Sequence, residues 1–368
     1  MADSYDKGEK LNVWSVNMNL PVFLKPSYAW RSYKGGRYIA KMKGENSEDS
    51  NFPEEWIMSV VRAENPGRED IVEGLSVDYN GKYLKDIIAE NPKSILGDRH
   101  FELFGNTTGV LLKILDAAER LAVQVHPSKE KALKLFNSPF GKTECWHVIG
   151  IREEEKACVY VGFKEGVTKE KWIELFLRQD IEGMLNCLHR FDVKKGDTFL
   201  ITGGTPHAIG SGCLLIEIQE PTDYTICTER YCLDGTMRPD EKLHKGLGFD
   251  KMFDCFDYNG LSFDETDDKW HIQKRIIENN ENYTISELIG YKDTPMFCMM
   301  EVNIYNKYTT ESLDVFSGVY VLEGEGLLND NVIKSGSQIF LPANSNEIIF
   351  TNTGEKPLKI VRFFGPEC

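Results

Sequence analysis

From Lys269 to its end, the chain is written almost entirely in short apolar runs separated by turn residues. Strand-length runs are expected at Trp270–Glu278, Tyr283–Leu288, Phe297–Tyr305, Gly318–Leu322, Gln338–Leu341, Glu347–Thr351 and Leu358–Phe364. Gly324, Gly326, Asn329-Asp330, Gly336 and Asn352-Thr353-Gly354 punctuate them. Many short strands at this spacing read as a jelly-roll or barrel. The upstream part has the same character. Strands are expected at Trp56–Val61, Val110–Leu115, Glu144–Gly150, Ala157–Phe163, Thr198–Thr202, Cys213–Gln219 and Tyr224–Tyr231. Helical spacing interrupts them at Lys82–Ile95, after the N-cap candidate Ser128, and over Thr168–His189. A mixed polar and helical segment runs from Asp234 to about Phe256.

A weak internal repeat extends this reading. Gly196-Asp197-Thr198-Phe199-Leu200-Ile201 runs on to Gly204 and His207, and Gly336-Ser337-Gln338-Ile339-Phe340-Leu341-Pro342 runs on to Asn344 and Asn346. The second copy keeps the turn-strand-turn frame, with Asn346 near the place of the imidazole. The expected fold is mainly β, two jelly-roll barrels with helical insertions. The expected division is residues 1–260 as a metal-binding domain and 261–368 as a metal-free β domain.

The metal expectation starts from Leu121-Ala122-Val123-Gln124-Val125-His126-Pro127. Strand alternation puts Leu121, Val123 and Val125 on one face and Ala122, Gln124 and His126 on the other. Lys142-Thr143-Glu144-Cys145-Trp146 and Gly203-Gly204-Thr205-Pro206-His207-Ala208 supply further donors. Gln124, His126, Glu144 and His207 are therefore candidates to surround one divalent cation. Two imidazoles, a carboxylate and an amide oxygen suit zinc, with an open position for water or substrate. His147 has the opposite parity from Glu144 and should face away. Lys142 shares the face of Glu144, where an ammonium beside a metal calls for an anion, so it is a substrate-binding candidate. Glu217 and Gln219 share one face of their strand and would line the same interior.

Composition narrows the function. The 368 residues carry a formal charge of −15, which argues against a general nucleic-acid or anionic-membrane binder. A local basic cluster could still hold a small anionic substrate. Nine scattered cysteines without a CxxC pair look like reduced cytoplasmic thiols. There is no apolar stretch of membrane-spanning length and no dinucleotide or P-loop pattern.

Leu121–Pro127, Lys142-Thr143-Glu144 and Gly204-Thr205-Pro206-His207-Ala208-Ile209 together resemble the class I mannose-6-phosphate isomerases, zinc enzymes of the cupin superfamily. Glu54-Glu55-Trp56, Leu112–Ala117 and Glu217-Ile218-Gln219 fit the same pattern. The resemblance implies zinc held by Gln124, His126, Glu144 and His207, in a cupin barrel followed by a metal-free one. It also implies interconversion of mannose 6-phosphate and fructose 6-phosphate through an enediol. Glu217 is a base candidate on the face it shares. Two positions depart from the family pattern. Ala122 stands where serine is usual, and Cys227 stands where the family carries an arginine regarded as catalytic. Losing such a group costs on the order of 10²–10³ in rate. Arg230, three residues on, could replace it only if a bulge or turn reversed its facing. The expectation is an isomerase weakened at this position, with a non-catalytic sugar-phosphate sensor as the alternative.

Overall fold

The computed structural model describes residues 20–368, apart from positions 66, 154 and 311. Four antiparallel sheets face each other in two pairs. One pair joins a six-stranded sheet, in the order Ser27–Ala29, Glu54–Ile57, Leu111–Asp116, Cys213–Gln219, Glu144–Ile151, Thr198–Ile201, to a five-stranded sheet. The latter runs Ile226–Cys227, Gln124–Val125, His207–Ile209, Cys158–Phe163, Leu188–Asp192. The other pair joins a seven-stranded sheet, centred on Ser317–Glu323 and Leu358–Phe364, to a four-stranded one. The result is two jelly-roll barrels, with most helices attached to the first.

Alternation decides what each face meets. Along Leu111–Asp116, Leu112 and Ile114 point toward the second barrel and pack with Leu288, Phe297, Met299 and Phe363 in the core between the barrels. Leu115 points inward with Trp146, Val148, Val161 and Phe199. Glu55, on the between-barrel face, accepts from Gln338 Nε2 at 2.7 Å and pairs with Lys43 at 2.6 Å. The N-terminal segment ties the barrels together. Val22–Leu24 pairs with Gln338–Phe340 of the second, and two residues later Ser27–Ala29 pairs with Glu54–Trp56 of the first.

Several elements differ from expectation. The strand expected at Trp56–Val61 is Glu54–Ile57, and Met58 follows in a left-handed conformation, φ 53°. The Thr168–His189 helix is two helices, Lys169–Arg178 and Ile181–Asn186. Gln179 breaks them at φ 50°, and the Asp180 side chain caps the second. His189 then lies in a strand, Leu188–Asp192, that pairs with Cys158–Phe163. Trp270 ends a helix, Phe263–Trp270, set by a Ser262/Glu265 capping box, rather than starting a strand. Of Tyr224–Tyr231 only Ile226–Cys227 joins a ladder. Ser128 does cap the helix Lys129–Phe136.

Candidate metal centre and cleft

Sheet register assembles the centre. His207 pairs with Gln124, and Gln124 pairs with Cys227, so these three share the inner face of the five-stranded sheet. Glu144 approaches from the other sheet, where it pairs with Gln219. His126 follows Gln124 just past the strand end. His126, Glu144 and His207 are all buried and present ligand atoms within 4.8 Å of one another. Among the described residues no other His, Cys, Asp and Glu group meets this geometry.

Backbone carbonyls set both imidazoles. Nδ1 of His126 donates to the Tyr224 carbonyl at 2.8 Å, and Nδ1 of His207 donates to that of Thr205 at 2.9 Å. Each Nε2 is thus left with its lone pair facing inward. These atoms lie 3.1 and 3.4 Å from the two Glu144 oxygens. The Gln124 amide lies 3.2 Å from His207 Nε2, and Trp146 Nε1 donates to Glu144 at 3.0 Å. Burial pushes the His207 pKa down to about 3, and burial with the Lys142 charge lowers that of His126. Burial raises that of Glu144, but Lys142 and His126 outweigh it and hold the carboxyl well below its usual range. Two neutral imidazoles, a carboxylate and an amide in a dry site make a donor set that fits a divalent cation.

Lys142 is 2.5 Å from Glu144 and 2.8 Å from His126 Nε2, at the floor of a cleft that opens over Gln124. Glu217 and Cys227 also line that cleft. The Arg230 side chain does not enter it. Its guanidinium bonds Asp240 at 3.1 Å and stacks over Phe176 and Phe249, as strand alternation from Cys227 requires. His147 faces away, bonded to Thr198 at 2.8 Å. Asn346 is exposed, outside the second barrel's apolar interior.

Sequence reasoning missed half of the cleft wall. Trp56, Lys113, Glu217 and Trp146 lie side by side across the six-stranded sheet. Lys113 bonds Glu217 at 2.8 Å. Glu54 accepts from Arg31 at 3.0 Å, Tyr33 at 2.8 Å and Trp56 at 2.8 Å. The two wall carboxylates diverge. Burial is outweighed at Glu54 by Arg31 and Lys113, so its pKa falls to about 2. Burial prevails at Glu217, with Glu144 adding to it against Lys113, so its pKa rises. Glu54 is a fixed anion, and Glu217 is the wall group suited to take a proton.

The type I phosphomannose isomerase catalytic-domain model matches residues 69–140. The chain is 27% identical over 348 residues to the probable mannose-6-phosphate isomerase GmuF of Bacillus subtilis, covering 92% of this chain and 98% of that one. It is 34% identical over 209 residues to the mannose-6-phosphate isomerase ManA of the same organism, covering 56% of this chain and 59% of ManA. The crystal structure of a Bacillus subtilis mannose 6-phosphate isomerase superposes with a TM-score of 0.71 at 23% identity, covering 93% of this chain and 99% of that one. The Salmonella typhimurium apo enzyme gives 0.69 at 14%, covering 94% and 99%. The chain is thus similar to mannose-6-phosphate isomerases along most of its length and shares their fold.

Proposed function

We propose that the protein interconverts mannose 6-phosphate and fructose 6-phosphate. One observation carries this reading: the convergent His126, Glu144 and His207 lie directly behind Gln124 and Lys142, which line a cleft whose wall holds a raised-pKa carboxylate, Glu217, among basic side chains. The relatives' names point to the same substrate.

The metal is zinc, held by Gln124, His126, Glu144 and His207. Zinc bound there would supply Lewis-acid chemistry for the isomerisation. Moving a proton between those carbons needs a base, and Glu217 takes that role. Its paired Lys113 holds the carboxylate in place, and the low-pKa Glu54 keeps Arg31 and Tyr33 fixed behind it. Lys142 contacts the substrate at the floor. The nine cysteines are all unpaired, which suits a reducing, cytoplasmic setting. Among the described residues no helix is long and apolar enough to cross a membrane.

A coupled assay for fructose 6-phosphate formed from mannose 6-phosphate, with and without chelator, tests the reading. Chelator-sensitive turnover is expected. Tight binding of mannose 6-phosphate with no turnover in zinc-loaded protein would favour a sensor instead. Glu217→Gln should lower kcat by about 10²–10⁴. Because Glu217 must be ionised to act, the acid limb of kcat/KM should lie above the ordinary carboxylate range. Lys113→Met should move that limb to still higher pH, since Glu54, Glu144 and Lys142 remain as the other charges around it. An unmoved limb would remove Glu217 as the base.

A further inference from the structure

Arg120 enters the cleft along the same row as the floor. Arg120, Ala122 and Gln124 alternate along one segment, and all three line the cavity. The pairing of Gln124 with Cys227 continues one step further, where the Thr228 amide donates to the Val123 carbonyl at 2.9 Å. Glu229 then falls on the face of Cys227 and Gln124. Its carboxylate accepts from the Val123 amide at 2.7 Å, and from Nη1 and Nη2 of Arg120 at 2.6 and 3.0 Å.

A guanidinium carries five N–H donors in a fixed geometry. Nη1 commits both of its hydrogens, one to Glu229 and one to the Leu121 carbonyl at 2.8 Å. Nη2 commits one to Glu229. The Nε hydrogen and the second Nη2 hydrogen form the remaining parallel fork. Neither has an acceptor among the described residues. The Arg120 side chain is 17% exposed and lines the cavity, whereas the Glu229 side chain that holds it is 5% exposed. The guanidinium is thus clamped from behind with its fork open. Its neighbours on that face leave room and add no charge. Ala122 offers a methyl, and burial raises the pKa of the Cys227 thiol, which keeps it protonated. Lys113 and Lys142 line the same cavity, but each is bonded to a carboxylate, Glu217 and Glu144.

We propose that Arg120 is a catalytic residue of the cleft, its open fork donating to the sugar oxygens on which negative charge develops as the proton moves. This rests on the isomerase reading. Taking a proton from the carbon beside a carbonyl leaves charge shared between two neighbouring oxygens. A side-on guanidinium presents two parallel donors to such a pair, which a lysine ammonium cannot do. Glu229 is a positioning residue. It sets the guanidinium before the substrate arrives, so the donors need no reorganisation when the charge appears.

The test uses zinc-loaded protein and the variants Arg120→Ala, Arg120→Lys and Arg120→Ala with Glu229→Gln. The double variant spares the fold an unpaired buried carboxylate. For mannose 6-phosphate, kcat should fall on the order of 10²–10³ in both alanine variants, with KM changed far less. Arg120→Lys keeps the charge without the fork and should recover only part of the loss. Guanidinium chloride, added well below denaturing concentrations, should restore part of kcat in Arg120→Ala. It should restore none in the double variant, where its anchoring carboxylate is gone. A role in folding alone would show no such rescue. A sugar-derived hydroxamic acid, an anionic mimic of the enediolate, needs no turnover, and its calorimetric Kd should rise by a similar factor in both alanine variants. Unchanged kcat or Kd in the alanine variants would overturn the proposal, as would a loss confined to KM. If wild type and Arg120→Ala turn over equally, the proposal fails and the isomerase reading stands. If wild type isomerises nothing yet binds the hydroxamate through Arg120, the isomerase reading fails and the guanidinium site stands.

Discussion

The two barrels share a strand plan and differ in what they enclose. The second is filled by Val302, Ile304, Val319, Val321, Leu328, Ile339, Phe350 and Ile360. The first has a comparable apolar part around Trp146, Val161, Phe199 and Leu215, and beside it encloses Gln124, His126, Glu144, Glu217 and Lys113. Burying a polar group is costly unless it is paired, so the first barrel needs a partner for each donor and acceptor, whereas the second is filled mostly by apolar volume, with the buried Arg362 bonded to Ser317 as an exception. The difference teaches where chemistry can be built. The frame is common, and the barrel that carries the cluster of ionised groups also carries the Trp, Tyr and backbone contacts that hold them.

Four variants test this contrast, in falling order of effect. His126→Ala with His207→Ala removes two of the four proposed ligands. Zinc should fall from about one per chain to near none, and turnover by on the order of 10³ or more. Elemental analysis showing full zinc retention would sink the assignment. Phe350→Ala leaves a void in the second barrel and should cost about 3–5 kcal/mol by denaturant titration. The folded fraction should keep its zinc and its kcat, so a loss of zinc there would show the barrels to be coupled. Trp146→Phe deletes one hydrogen bond to Glu144 and little volume. Zinc affinity should weaken about 10- to 100-fold, measured against a chelator of known strength. Asn346→Ala, the exposed residue that the sequence repeat sets near His207, should change stability by less than about 0.5 kcal/mol and leave zinc content alone. Any zinc held in the second barrel would contradict this.

Much of the floor could be read from sequence because its donors obey local rules. Gln124 and His126 are two residues apart with apolar neighbours between, and Glu144 and Lys142 repeat that spacing. Alternation also separated Glu217 from its neighbours and put Arg230 off the face of Cys227. The wall was hidden for a different reason. Glu54, Lys113 and Glu217 become neighbours only through sheet order, which brings together three strands far apart in sequence. Glu54 and Glu55 lie just before the strand expected at Trp56–Val61, yet both are buried, one toward Arg31 and the other toward Lys43. Their partners lie at positions that local spacing does not reveal. Thr168–His189 failed because a short run such as Leu188–Asp192 fits either periodicity, and only pairing with Cys158–Phe163 decides it.

The pairing of Val22–Leu24 with Gln338–Phe340 has a consequence for how the chain is made. The first of these strands leaves the ribosome long before the last, and more than three hundred residues must follow before its partner exists. Until then its hydrogen-bonding edge is open, while Ser27–Ala29 can already dock on Glu54–Trp56. The half that holds His126, Glu144 and His207 can therefore take shape during synthesis, and the N-terminal strand waits as a latch that only a finished chain can close. A polypeptide stalled before residue 338 would lack the latch's partner altogether, and a chain trimmed of its first 24 residues would leave the Gln338–Leu341 strand as a bare edge.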